Sequence, residues 1–287
     1  MIRRVGASLQ DALTLLNENW LGAARPKKHL PALVAVANSL NSPDEIRFRC
    51  IVAEGSANRR NGIDYYDDII AQIVKVAAVL EEKHPLRLRN LGCDCGTDFA
   101  PIAHVLSRYR ENLVVVWFDA HADLNTPATS RGGSRSGHFH GMVLRALTGH
   151  AAFGLSGYLN PALSPSQIIL AGARELDPEE NDYIAAETVT LVLSEDIGQS
   201  TWLSALDVRA AVGITNAYIH IDFDVLDPAQ FPWVGCPTPG GISIETLREA
   251  VAQVYDRFNV RGISAVEINA EGENAIRAAN IVKELIA

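Results

Sequence analysis

The sequence predicts an α/β fold of three layers, in which a mostly parallel sheet of about eight strands carries helices on both faces. Three observations predict this class. Apolar runs of strand length alternate along the chain with longer segments whose apolar residues recur at helical spacing. The run Leu113–Phe118 is apolar at every position, which is typical of a strand buried on both faces of a parallel sheet. No linker rich in Pro, Gly or Ser interrupts the alternation, so we expect residues 1–287 to form one domain.

In the first half of the chain, the clearest element is a helix over Ile63–Leu80, because its apolar residues recur three and four positions apart. A second helix, Pro101–Tyr109, follows Thr97 and Asp98, either of which is a suitable N-cap. The remaining predictions for this half are an amphipathic helix over Leu9–Trp20 and strands over Leu33–Ala37, Arg47–Ala53 and Leu86–Leu91.

In the second half, strands and helices alternate regularly. Asp177 is a suitable N-cap, because Pro178 follows it at the first helical position and two glutamates complete an acidic first turn. The polar stretch from Asn125 to Gly141 is long enough to be a functional loop. The remaining predictions are strands over Leu113–Phe118, Ile168–Ala173, Thr188–Leu193, Tyr218–Asp224 and Ile263–Ile268, helices over Trp202–Val212 and Leu247–Phe258, and a C-terminal helix.

Composition argues against several classes of partner. A formal net charge of −9 and a sequence pI near 5.4 disfavour nucleic acid and anionic membranes, and they suit a small cationic substrate. Neither a signal peptide nor a transmembrane span is recognisable. No disulfide framework is apparent, so we expect a cytoplasmic protein in which all the thiols are reduced: Cys50, Cys93, Cys95 and Cys236.

Polar side chains follow the buried run Leu113–Phe118 at alternate positions. Asp119, His121 and Asp123 project to one side if the extended backbone persists beyond the strand. Two carboxylates and an imidazole in such a place need partners, because burying an isolated charge is costly. A bound cation is the simplest partner for this group.

A second apolar run ends in the same way, with Asp222 and Asp224 on one face. If this strand lies beside the first in a parallel sheet, the five side chains meet at the carboxyl edge, where open α/β proteins place their sites. Five such donors are more than one divalent ion takes from protein, so shared carboxylates and two ions are indicated. Asp227, which precedes Pro228, is better explained as a turn former.

Three motifs go beyond this general argument. They are Asp119-Ala120-His121-Ala122-Asp123, Ser136-Gly137-His138-Phe139-His140-Gly141-Met142 and His220-Ile221-Asp222-Phe223-Asp224-Val225-Leu226-Asp227-Pro228. In order and spacing, they resemble the three signatures of the ureohydrolase family, which includes arginase and agmatinase. The resemblance extends from about Leu91 to Asn269 and implies an arginase/deacetylase-like fold and a hydrolase that cleaves a C–N bond of a guanidine.

The resemblance implies two manganese ions and assigns their ligands. Asp119 and Asp222 would bridge the ions. His121 and Asp224 would complete one site, and Asp123 would belong to the other. The last ligand of the family is a histidine in a Gly-Gly-Asp-His motif, for which this chain has Gly-Cys-Asp-Cys ending in Cys95.

Cys95 leaves two interpretations open. A thiolate binds divalent ions, but it is softer than imidazole and shifts the preference from manganese toward zinc, iron or cobalt. Alternatively, Cys95 is a small residue in a site that has lost its first metal, although Asp123 would then have little reason to remain. A cysteine here is also similar to that of Nω-hydroxy-L-arginine amidinohydrolase, a variant ureohydrolase, which makes a modified guanidine a candidate substrate.

The resemblance also implies a mechanism. Two ions about 3.5–4 Å apart would lower the pKa of a bridging water, so that hydroxide is available near neutral pH to attack the guanidinium carbon. Asp123 would hold or accept its proton. His140 would be the proton shuttle, suited by an ordinary pKa of about 6.5. Glu267, at the end of the last strand, would hold the guanidinium by charge-assisted hydrogen bonds.

The far end of the substrate would meet residues that match arginase more closely than agmatinase. Asn125 and Ser136 correspond to residues that bind the α-carboxylate, and His138 stands where the family has an asparagine. Asp177 corresponds to the acidic residue at the α-amino group, but its position as an N-cap is an equally good explanation. Cys236 replaces a threonine, and its role is open.

Two other functions remain alternatives. A same-fold amide hydrolase with one zinc ion, similar to the histone deacetylases, does not need both Asp123 and Asp224 around a second metal. A catalytically silent homologue that serves as a partner subunit is the other, although the retained ligands and His140 argue against decay. It is suggested by three departures from the family motifs: Cys95, His138 and Cys236. Family members are commonly trimers or hexamers, so we expect a homo-oligomer.

Overall fold

A computed structural model of the chain describes residues 11–24, 30–50, 58–130 and 136–287. In these residues, eight parallel strands form one sheet, in the order β2-β1-β3-β8-β7-β4-β5-β6. The strands are β1 Leu13–Asn17, β2 Glu45–Phe48, β3 Leu88–Gly92, β4 Leu113–Phe118, β5 Ile168–Ala171, β6 Thr190–Val192, β7 Asn216–Ile221 and β8 Asn259–Ala265.

Helices cover both faces of this sheet, which confirms the predicted fold class. The helices are α1 Leu30–Leu40, α2 Tyr66–Lys83, α3 Phe99–Tyr109, α4 Val143–Leu147, α5 Pro178–Ala186, α6 Ser200–Ala211, α7 Ile244–Arg257 and α8 Gly272–Ile286. Buried side chains of α1, α6, α7 and α8 pack on one face, and those of α2, α3 and α4 pack on the other. Strand β4 is apolar throughout because its side chains enter both cores. Val114 and Val116 pack in the first core, and Val115 and Trp117 pack in the second.

Two predictions near the N-terminus are wrong. One predicted strand is part of a helix, and one predicted helix contains a strand, so the predicted number of strands is unaffected. Leu33–Ala37 lies inside helix α1, where Ala32, Leu33, Val36 and Ala37 form its buried stripe. Strand β1 lies within the segment predicted as a helix over Leu9–Trp20, and all five of its residues are buried. Short apolar runs do not distinguish a buried strand from a buried helix, which explains both errors. Residues 9–10 and 51–53 of the predicted elements lie outside the described ranges.

The strand order positions the predicted functional residues. Strands β3, β8, β7, β4 and β5 are consecutive in the sheet, and their carboxyl ends lie at one edge. Cys95, Glu267, Asp222, Asp119 and Asp177 follow these five strands respectively. Within the described ranges, no helix has the length and apolar character that crossing a membrane requires.

Candidate metal centre

Asp119 and Asp222 follow the neighbouring strands β4 and β7, where Phe118 pairs with Ile221. Both aspartates are buried, with 1% and 3% of their surfaces exposed. Asp119 accepts hydrogen bonds from the His121 amide at 2.7 Å and from the Trp117 indole at 3.1 Å. The pairing of β4 with β7 therefore brings the two carboxylates to the same edge of the sheet.

His121, Asp224 and Asp119 form the first candidate cation site. His121 Nδ1 lies 3.1 Å from Asp224 Oδ2 and 3.4 Å from Asp119 Oδ1. One ligand atom from each residue lies within 4.8 Å of those of the other two. A second contact orients Asp224, whose Oδ1 accepts the Ala120 amide at 3.0 Å. These donors are one imidazole and two carboxylates, which suit a divalent ion such as manganese or zinc.

Cys95, Asp119, Asp123 and His220 form the second candidate site, and all four residues are buried. Their ligand atoms also lie within 4.8 Å of one another. The Cys95 thiol donates a hydrogen bond to Asp222 Oδ2 at 3.2 Å. Asp119 thus belongs to both candidate sites, while Asp222 contacts the cysteine of the second.

Asp123 gives a direct indication that the second site fits a cation. Its Oδ2 is buried and has no hydrogen-bond partner among the described residues. Its backbone also has φ of 53°, a left-handed conformation that a residue with a side chain rarely adopts. Glu267 shares this feature with φ of 60°. Such conformations concentrate at functional sites, where the surrounding structure holds them in place.

The ionisation of the acidic groups is consistent with this fit. Burial, followed by neighbouring carboxylates, raises the pKa of Asp123 and of Asp222 well above the usual range. Burial and then Asp123 and Asp222 raise the pKa of the Cys95 thiol in the same way. Burial opposes ionisation of Asp224 as well, but hydrogen bonds from His121 outweigh it and lower the pKa of Asp224. A bound cation would offset the repulsion among these groups.

A pH dependence of stability follows from Glu180, which accepts the amides of Leu124 at 2.9 Å and Asp177 at 3.0 Å. Burial raises its pKa from 4.5 to about 7. Between these values the folded protein keeps a proton that the unfolded chain releases, so this contribution to stability falls as pH rises. In metal-free protein, we expect Glu180→Gln to become more stable relative to wild type between pH 4.5 and 8 in urea unfolding. A constant difference across this range would contradict the prediction.

A cleft of about 420 Å³ opens onto this centre. His140 and Glu267 lie in its wall, with His140 Nδ1 3.0 Å from Glu267 Oε1. Their side chains are 20% and 5% exposed, so the pair faces the cleft and little bulk water. The cleft therefore joins the candidate metal ligands to an acid–base pair.

The residues predicted to bind the far end of the substrate also line the cleft: Asn125, Ser136, His138 and Asp177. Asn125 donates a hydrogen bond to Asp177 Oδ2 at 2.9 Å. Ser136 Oγ lies 2.6 Å from Ser130 Oγ. Asp177 also begins helix α5, with Glu180 accepting its amide, so its structural role and its place in the cleft coexist. Residues 131–135 of the predicted functional loop lie outside the described ranges.

The structure confirms the role predicted for Asp227 and differs from the one predicted for Asp98. Asp227 is a turn former, as predicted, because its carboxylate accepts the amides of Ala229 and Gly240. Asp98 differs from the prediction. It precedes α3, but its side chain makes no capping hydrogen bond and lies buried against Tyr218 and His220.

Sequence reasoning missed several residues around the centre. Ser130, Glu175 and Glu180 also line the cleft. They lie in loops and in the first turn of α5, where no sequence motif indicates a binding site. His220 was detectable, because it stands on β7 two positions before Asp222, whose backbone is still extended, so the two side chains project to the same face.

Comparisons with known proteins agree with this architecture. Residues 60–287 match the family model described as the arginase family. An arginase of Staphylococcus aureus (strain MRSA252) is 27% identical over 249 residues, which cover 84% of this chain and 80% of that protein. An arginase of Bacillus subtilis (strain 168) is 33% identical over 204 residues, which cover 68% of this chain and 65% of that protein.

Solved structures show the same fold. The structure of Entamoeba histolytica arginase in complex with L-ornithine superposes with a TM-score of 0.80. The sequence identity is 20%, and the superposition covers 96% of this chain and 97% of the other.

Proposed function

Because this chain belongs to the arginase family of hydrolases, we propose that it is a two-metal amidinohydrolase acting on an arginine-like substrate. The reaction would cleave the guanidinium C–N bond of L-arginine or Nω-hydroxy-L-arginine, giving ornithine and either urea or hydroxyurea. One observation carries the proposal: the Asp119 carboxylate belongs to both candidate cation sites. A shared carboxylate is what a pair of adjacent ions requires.

Most of the proposed ligands come from the two clusters. His121 and Asp224 would hold one ion, Cys95 and Asp123 would hold the other, and Asp119 would contribute to both. Asp222, which contacts Cys95, is added to the ligands by family membership. Manganese is the first candidate metal by family membership, and the Cys95 thiol extends the candidates to zinc, cobalt and iron. When bound, the ions would supply a hydroxide near neutral pH and stabilise the charge that develops during attack on the substrate.

The groups in the wall of the cleft would handle the guanidinium and the protons. Glu267 carries the negative charge that would hold the substrate's guanidinium. His140 contacts Glu267 in the substrate-free protein. Once the guanidinium occupies Glu267, His140 would deliver a proton to the departing amine nitrogen. Asp123 would hold or accept the proton of the attacking water through the carboxylate oxygen that does not bind an ion.

Selection of the substrate would fall to the opposite wall. Asn125 and Ser136 are candidates for the α-carboxylate, with His138 adding a ring that arginases lack there. Asp177 is the candidate for the α-amino group, since its carboxylate already faces the cleft beside Asn125. These contacts would favour an amino acid over a simple amine such as agmatine.

The test is the metal content of manganese-loaded wild type and Cys95→His, followed by assays for urea and hydroxyurea. We expect two ions per chain in both proteins, turnover in both, and a changed ratio of activity toward arginine and its Nω-hydroxy derivative. That ratio should change because the softer thiolate tunes the ion beside the reacting carbon.

Other outcomes would redirect the assignment. One ion in wild type and two in Cys95→His would mean that the second site has been lost and would favour a mononuclear amide hydrolase. Two bound ions with no turnover of any guanidine would favour a silent partner subunit. Manganese, cobalt and zinc should each be tried before turnover is judged absent.

A further inference from the structure

His220 is a fully buried histidine that the proposed function does not use. It lies on β7 with 0% of its surface exposed, two residues before Asp222. Alternate residues of a strand project to one face, so its ring points to the same side as Asp222. One of its ring nitrogens lies within 4.8 Å of ligand atoms of Cys95, Asp119 and Asp123.

The orientation of the His220 ring is fixed on two sides. The ring stacks on Trp117 with centroids 3.4 Å apart and planes at 5°. Its Nδ1 lies 2.5 Å from Asp98 Oδ2. Asp98 is held in turn by hydrogen bonds from Asn90 at 2.7 Å and from the Tyr218 hydroxyl at 2.9 Å. The ring therefore has little freedom to turn away from the centre.

This orientation determines which nitrogen is available to bind a ligand. The Asp98 carboxylate accepts a hydrogen bond from Nδ1–H, so in the neutral imidazole the free lone pair resides on Nε2. Nε2 is buried and has no hydrogen-bond partner among the described residues. The Oδ2 atom of Asp123, in the same cluster, is buried and unpartnered in the same sense. A divalent cation would satisfy both atoms.

We propose that His220 Nε2 is a ligand of the ion held by Cys95, Asp119 and Asp123. A ligating histidine commonly donates its other N–H to a carboxylate, and Asp98 is that partner here. The site would then combine thiolate, imidazole and carboxylate donors, a set that favours zinc, cobalt or iron over manganese. This inference rests on the proposed two-metal centre and assigns it a ligand from strand β7.

Cobalt loading tests the assignment in two ways. In unaltered protein labelled with ¹⁵N-histidine and loaded with cobalt, we expect the large contact shifts of directly coordinated rings from two imidazoles, His121 and His220. Nearby rings such as His140 should show only the smaller through-space shifts. The Nδ1 proton of His220 should exchange slowly with solvent because Asp98 shields it. In His220→Asn, cobalt affinity at the thiolate site should fall by more than about 100-fold, since partners that only orient ligands are already worth about 10–100-fold. The thiolate-to-cobalt charge-transfer band should fall with it.

The matched control is His104→Asn, because the His104 ring lies 3.3 Å from the Pro85 carbonyl oxygen and His104 belongs to none of the candidate cation sites among the described residues. This variant should keep two cobalt ions and the full charge-transfer band. A single contact-shifted imidazole in unaltered protein would overturn the proposal, as would unchanged cobalt affinity in His220→Asn. If that variant does not fold, the signals of the unaltered protein decide alone. Guanidine hydrolysis is measured separately, so the ligand assignment and the proposed function can fail independently.

Discussion

Replacing Asp222 by asparagine should nearly abolish hydrolysis and remove metal from both sites. Asp222 lies between the two clusters: its Oδ1 accepts the Asp224 amide at 2.8 Å, and its Oδ2 accepts the Cys95 thiol at 3.2 Å. An amide is a weaker ligand than a carboxylate and leaves the paired ions with one fewer negative charge. We expect kcat/KM to fall by more than about 100-fold, beyond the effect of residues that only orient ligands.

Asp227→Asn is the control for this experiment, since it makes the same chemical change five positions along the chain. Asp227 accepts one backbone amide with each carboxylate oxygen in an exposed turn, and asparagine can still accept one of the two with its Oδ1. It should therefore keep its metal and its turnover. Metal analysis and product assays on both variants are the measurements. Full metal content in Asp222→Asn with turnover within tenfold of wild type would contradict the two-metal proposal.

The second large effect is expected from Glu267→Gln, which keeps the shape of the side chain and removes its charge. A hydrogen bond to a charged group is worth about 1.5–3 kcal/mol, so kcat/KM should fall on the order of 10-fold to 150-fold. Metal content should not change, because the proposed ligands are untouched. Glutamine also has a β-carbon, so the steric cost of the left-handed backbone conformation at position 267 is the same in the variant and in wild type.

Glu271→Gln, at an exposed position four residues later, is the matched control and should behave as wild type. If Glu267 holds the guanidinium, the loss should diminish for a neutral guanidine analogue. Equal losses for charged and neutral substrates would assign Glu267 to positioning of His140 instead, given their 3.0 Å contact.

Much of the fold could be predicted because a parallel sheet imposes its requirements on local sequence. A strand buried on both faces is predominantly apolar, and β4, which is apolar at every position, is recognisable for that reason. The N-terminal elements were not recognisable, since Leu33–Ala37 and Leu13–Asn17 are both short apolar runs with opposite outcomes. Only the neighbours that each segment packs against decide between helix and strand there.

The sequence by itself predicted the candidate ligands that follow β4 and β7: Asp119, His121 and Asp123, and Asp222 with Asp224. The extended backbone assumed in that prediction does not persist, because Asp123 has φ of 53° and Asp224 lies in a 3-10 helix over Phe223–Val225. Period-two spacing places His220 beside Asp222, but its importance is shown by the structure, where its buried Nε2 has no hydrogen-bond partner among the described residues.

Tertiary structure alone decided how these groups combine. The sheet order brings together the chain segments that follow β3, β8, β7 and β4. Cys95, after β3, therefore contacts Asp222, after β7, and His140, after β4, contacts Glu267, after β8. These residues are separated by 127 positions in each case, and no local preference encodes such contacts. They follow from burial of two apolar faces between helices, which aligns the strands and their carboxyl ends at one edge.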